Sequence, residues 1–231
     1  MSLDDSLFTL EEVDADGVLD RAADALMPAS TRRGLLQAAV GGAAALAALA
    51  AADTAKAYSA GDTEILRFDL VLEYLQAAMY TEAERLGRLR APTLSWARVV
   101  GAHERAHAAA IKALLGKKAV SSPDFDFRGV TTHEDQFIKT AVAFEELTAA
   151  LLKWQAPRLD SRSLVAAVAS LHSVETRHAA WIRKIIGRLP AAKAFDEPAP
   201  QEQMARLIAS THFISRRVTT SRQRAKPRYT G

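Results

Sequence analysis

Two Glu-x-x-His quartets constrain this chain more than any other feature: Glu104 to His107 and Glu175 to His178, each trailing a helical glutamate by nearly the same distance. Glu73 stands 31 residues before Glu104, and Glu145 stands 30 before Glu175. Between halves the offset is 72 for the leading glutamates and 71 for both members of the quartets. Such regularity predicts two copies of one helical hairpin. Residues three apart on a helix share a face, so each quartet aims a carboxylate and an imidazole at one spot. Glu73, Glu104, His107, Glu145, Glu175 and His178 are therefore candidate ligands of a carboxylate-bridged dimetal site inside a four-helix bundle.

The donor chemistry narrows the metal. Hard carboxylate oxygens with one imidazole per ion favour iron or manganese over a structural zinc site, which usually takes thiolates. The chain contains no cysteine, which also excludes disulfides and redox thiols. Four carboxylates in an apolar bundle are tolerable only if cations or protons neutralise them; two metal ions supply about +4 to +6.

A length of 231 residues suits one domain with appendages. Apolar residues make up 49% of the chain, yet aromatics only 6%, and alanine supplies much of the rest. That balance suits closely packed helices rather than a β-rich core, and predicts an all-α protein.

Residues 1–57 read as a leader. Thr31-Arg32-Arg33-Gly34-Leu35-Leu36-Gln37 precedes an uncharged, alanine-rich run to Ala52 and then Ala55-Lys56-Ala57. This resembles a twin-arginine export signal with a small-x-small cleavage site. Export to the periplasm or cell envelope by the twin-arginine translocation machinery is the expectation. The alternative is an uncleaved membrane anchor, since Leu35 to Ala52 lies at the short end of a membrane span. Residues 1–29, long and acidic, carry no assignable role.

Residues 58–190 read as the bundle. Helix one is expected from Asp62 or Thr63, one of them the cap, to about Arg88, and helix two from about Thr93 to Leu115, stopped by Gly116. Helix three spans about Thr132 to Gln155, and helix four Ser161 to Arg188. Short connections make each consecutive pair antiparallel. Residues 117–131 are polar and could reach roughly 45 to 50 Å, more than the roughly 36 Å of a 24-residue helix, so they can cross the bundle end to end. Within residues 191–231, a short helix is expected over 201–215. A tail from Arg216 onward carries six bases and no acid; it reads as disordered, and either contacts an anionic envelope surface rather than nucleic acid or stays solvated without a partner.

The stretches Leu72-Glu73-Tyr74-Leu75-Gln76-Ala77-Ala78-Met79-Tyr80, His103-Glu104-Arg105-Ala106-His107, Phe125-Asp126-Phe127, Phe144-Glu145-Glu146 and Val174-Glu175-Thr176-Arg177-His178-Ala179-Ala180 resemble exported bacterial ferritin-like domain proteins. The resemblance covers about residues 62–190. It implies a ferritin-like four-helix bundle of two hairpins joined by a long crossover, with two Fe or Mn ions at the six matched positions. It does not imply a storage cage.

Several residues carry competing readings. Glu145 shares its face with Ala141, Thr148 and Leu152, whereas Glu146 shares one with Lys153, which makes Glu145 the ligand. His103-Glu104-x-x-His107 also matches the zinc-hydrolase signature, but Val174 replaces the leading histidine in the second quartet. A dimetal site leaves His103 peripheral or beside a ligand; zinc hydrolysis needs it as a ligand. His172 reads as an extra ligand, a partner of one, or a packed ring. Tyr80 and Trp181 read as core residues that could tune the site or carry an electron, and His133 and His212 as structural or exposed.

The leading expectation is a metalloprotein that oxidises Fe(II) or reacts with O2 or peroxide. A non-enzymatic metal-binding or stress-related envelope protein is the alternative. Catalysis itself, Fe versus Mn, and homodimer formation stay open in the sequence.

Overall fold

The structure, a computed structural model, describes residues 58–215. The readings made for residues 1–57 and 216–231 fall outside them. The described residues form five α-helices and, among them, no strand: α1 Ala60–Leu86, α2 Ala91–Leu115, α3 Glu134–Gln155, α4 Arg162–Ile185 and α5 Gln201–Thr211. None of these helices is long and apolar enough to cross a membrane.

Helix α1 begins before the predicted cap. The Ser59 hydroxyl accepts the Asp62 N–H at 3.0 Å, so Ser59 is the cap and Asp62 lies in the first turn. It ends at Gly87, whose φ of 59° is costly for any residue with a β-carbon. Helix α2 starts at Ala91, with Pro92 in its first turn, where proline's fixed φ suits a helix and its missing N–H loses nothing. Its uncapped start is satisfied from α3: Glu134 accepts hydrogen bonds from the Arg90 N–H and the Thr93 hydroxyl. Helix α3 begins at Glu134, two residues later than predicted, because Val130–Thr132 form a 3-10 turn instead. Ser161, expected as the first residue of helix four, is its cap instead, and the helix ends at Ile185 rather than the expected Arg188, with Gly187 at φ 73° after it.

α1 packs against α2, and α3 against α4, as antiparallel hairpins. The α1–α3 seam is antiparallel as well: Asp69 meets Gln155, Gln76 meets Thr148 and Tyr80 meets Glu145. The crossover from α2 to α3 is clamped by the chain after α5. Phe125 bridges Ile214, the Asp126 N–H donates to the Phe213 carbonyl at 2.8 Å, and the Ser215 N–H donates to the Asp124 carbonyl at 2.9 Å. This pairing corrects the helix expected over 201–215. His212 turns left-handed at φ 53°, and residues 213–215 spend their backbone groups on the crossover. Phe127 and Phe213 pack edge to face at this clamp.

The core falls into two clusters. One, built on Tyr80, Trp96, Phe137 and Phe144, fills the bundle between α1, α2 and α3; the other, built on Leu66, Leu70, Ile111, Leu164 and Leu171, fills the opposite end. Along α1 the buried Glu73 falls between Leu70 of the second cluster and Leu75 of the first.

Candidate metal centre

Glu73 is carried inward by the apolar face of α1, between Leu70 and Ala77, and is 2% exposed. Glu104, Glu145 and Glu175 are fully buried, His178 is 2% exposed and His107 8%. Burial of this kind is rare for glutamate without a compensating partner.

The six side chains converge in two overlapping groups. Glu73, Glu104, His107 and Glu175 form one; Glu104, Glu145, Glu175 and His178 form the other. Within each group the facing ligand atoms all lie within 4.8 Å of one another. Glu104 and Glu175 belong to both, so the glutamates of the quartets sit in the middle and the remaining four residues at the ends. His107 Nδ1 stands 3.6 Å from Glu73, 3.6 Å from Glu104 and 3.0 Å from Glu175. His178 Nδ1 stands 3.2 Å from Glu104, 3.2 Å from Glu145 and 3.3 Å from Glu175. Ligand atoms held about 2.1 Å from one ion are about 3.0 Å apart at right angles and about 3.4 Å apart at the tetrahedral angle, and the distances here run from 3.0 to 3.6 Å.

Residues 61–188 match the family profile of the ferritin-like domain. The chain belongs to the ferritin-like family. No curated protein matches it.

The ferritin-like fold implies bound metal, and the donor set can be tested for it. Glu73 Oε2, both oxygens of Glu104, Glu145 Oε2, Glu175 Oε1 and His107 Nδ1 are buried with no hydrogen-bond partner. All are atoms that face the cluster. Orphaned buried acceptors cost roughly 1–3 kcal/mol each, more when charged, and a cation between them removes that cost. The residues fit metal.

Electrostatics in this ferritin-like cluster follow from burial and crowding. Burial and the neighbouring Glu104 push Glu73 well up, and burial pushes Glu145 up to about 8. Burial alone would also raise Glu104, but the imidazoles of His107 and His178 close beside it overcome that effect and hold the carboxyl below its ordinary range. Burial opposes charge on His178, yet Glu104, Glu145 and Glu175 raise it to about 12; Glu104, Glu175 and Glu73 likewise raise His107. Without cations the cluster compensates itself by gathering protons.

The residues around the cluster sort the remaining readings. Glu146 pairs with Arg183 at 2.7 Å on the outer side of α3, leaving Glu145 to face inward. Tyr80 is buried and donates its hydroxyl to Glu145 Oε1, a role beyond core packing. Burial and the negative charge of Glu145 push the phenol well above its ordinary value, so it stays a donor. His103 lies outside both groups and turns its Nδ1 to His178 Nε2 at 2.9 Å, which takes away the second histidine that zinc hydrolysis needs. His172 also lies outside both groups, its Nε2 buried without a partner. Trp181 is 42% exposed and is not a core residue. His133 bonds the Gly129 carbonyl, and His212 ends α5. The Asp69–Gln155 pair, one turn of α1 from Glu73, was not singled out in the sequence; a second acid on the apolar face of α1 was its signal.

Proposed function

We propose that this chain binds two iron or manganese ions in its two overlapping groups and oxidises Fe(II) with O2 or peroxide. The observation that carries the reading is that Glu104 and Glu175 belong to both groups, the arrangement a bridged pair of ions requires. Bound iron would supply the transfer of electrons to the oxidant. The chain supplies the rest. Glu104 and Glu175 hold the two positions together, and Glu73 with His107, and Glu145 with His178, close the ends. Carboxylates suit redox work because they can exchange bridging for terminal binding as charge at the site changes. The four glutamates and His178 are at most 2% exposed, and His107, at 8%, is the most exposed of the six. The absence of cysteine and the hard oxygen donors favour iron or manganese over zinc.

We place this activity outside the cytoplasmic membrane, in the periplasm or cell envelope, on the strength of Arg32-Arg33 and the alanine-rich run that follows. Loss of export in an Arg32→Lys, Arg33→Lys double variant, read by cell fractionation, tests that placement.

The activity is tested by following Fe(II) oxidation in air and with peroxide, for the native chain and for Glu175→Ala. Native rates well above the metal-free background, lost in the variant, support the reading. Equal rates contradict oxidation. Metal bound without oxidation leaves a binding protein.

A further inference from the structure

The repeat makes the two halves comparable position by position, and they differ beside the metal groups. An offset of 72 relates α3 to α1, and Gln76 bonds Thr148, its own counterpart, at 2.8 Å across the pseudo-twofold axis. By that offset Tyr80 corresponds to Leu152, and by the offset of 71 between α2 and α4, His103 corresponds to Val174. Both counterparts are apolar. Tyr80 bonds Glu145 and His103 bonds His178, so both polar neighbours serve the same end of the cluster. Among the described residues no hydrogen bond from outside the cluster reaches Glu73 or His107.

The His103–His178 contact is an in-line hydrogen bond. The ring centroids are 5.1 Å apart, with planes 18° from parallel, and the nitrogens approach to 2.9 Å. The centroid separation is the N···N contact plus one ring radius on either side, so the rings meet edge to edge. His178 Nδ1 faces the carboxylates, and a metal-bound nitrogen carries no proton. The proton of His178 is then on Nε2, donated to His103 Nδ1. Such a bond fixes tautomer and ring orientation, and makes the ligand nitrogen more basic.

We propose that the two metal positions are built unequal: Tyr80 and His103 are positioning residues that brace the Glu145–His178 end, which fills first and holds its ion more tightly than the Glu73–His107 end. The inference rests on the dimetal reading and goes further, assigning one retained and one exchangeable ion. Loss of a hydrogen bond to a ligating side chain commonly costs 10–100-fold in affinity.

The test titrates the metal-free full chain with Mn(II), without oxidant, and reads each binding step by calorimetry. Native protein is expected to show two unequal steps. His103→Ala and Tyr80→Phe each weaken the tighter step tenfold or more and leave the weaker one unchanged. His103→Asn, whose amide oxygen can accept the same proton, retains most of the affinity. Circular dichroism confirms that the variants fold. Two equal steps in the native chain, or loss spread over both steps, overturns the inequality while leaving the dimetal site standing. No Mn(II) binding by the native chain overturns both.

Discussion

Two buried acidic layers lie a helical turn apart along α1 and answer the same problem differently. In the cluster, four carboxylates converge and their orphaned oxygens face one another and two imidazoles. At the next turn Asp69 stands alone against an amide: Gln155 Nε2 donates to Asp69 Oδ1 at 2.7 Å, while Asp69 Oδ2 and Gln155 Oε1 both lack partners. Both orphans there are acceptors, so one proton on Asp69 supplies the missing donor. Burial raises Asp69 to about 7, which makes that proton accessible near neutral pH. No single proton can do the same for four carboxylates. One layer is built for cations, the other for a proton.

Removing metal should have the largest effect. A ligand at a thousand times its Kd stabilises a fold by about 4 kcal/mol per site, so chelation of the loaded protein is expected to lower its thermal midpoint sharply, and re-addition of metal to restore it. Scanning calorimetry with and without chelator reads this; an unchanged midpoint would mean that the cluster needs no cation.

Asp69→Asn sharpens the contrast from the other side, because asparagine presents permanently the donor that protonated Asp69 offers. The folded value of about 7 lies above the ordinary carboxyl value of 3.8, so the folded state binds the extra proton between those values. Stability of the native chain relative to the variant should therefore fall as pH rises from about 4 to 7. The full difference, roughly 4 kcal/mol at most, is present above pH 7 and absent below pH 4. Urea unfolding at pH 5 and pH 8 checks the sign; a variant less stable at pH 8 would show that Asp69 is ionised and paired.

Thr148→Val strips the hydroxyl whose hydrogen bond Gln76, about one turn past Glu73 on α1, accepts at 2.8 Å. A cost of about 1–3 kcal/mol is expected, with metal content unchanged. The smallest effect belongs to Glu146→Ala, which removes only the partly exposed pair with Arg183: under about 1 kcal/mol, and no change in metal bound, whereas Glu145→Ala empties one position. Metal loss from the Glu146 variant would mean that the two neighbours were assigned the wrong way round.

What the sequence discloses is whatever repeats or obeys helical periodicity. The quartets and their offsets were visible because spacing three on a helix is local geometry, and the choice of Glu145 over Glu146 followed from which neighbours share a face. The long crossover could be read from its length and polarity. What the sequence did not disclose depends on contacts between distant segments. Pairing of Asp69 with Gln155 needs the antiparallel register of α1 and α3. The shortening of α5 needs the crossover that takes up residues 213–215. His103 reads as a neighbour of His107 in the chain, yet it reaches His178 on another helix. Trp181 looked like core because it follows His178 by nearly one turn; its ring instead points partly to solvent.

Six buried side chains converge in two overlapping groups, and the proposed function has them hold two ions. Elemental analysis of the full chain, produced in medium replete in iron and manganese, tests it most directly. About two Fe or Mn per chain are expected, absent from Glu104→Ala, which removes a residue common to both groups. One Zn per chain, or no metal in a folded native protein, would contradict it.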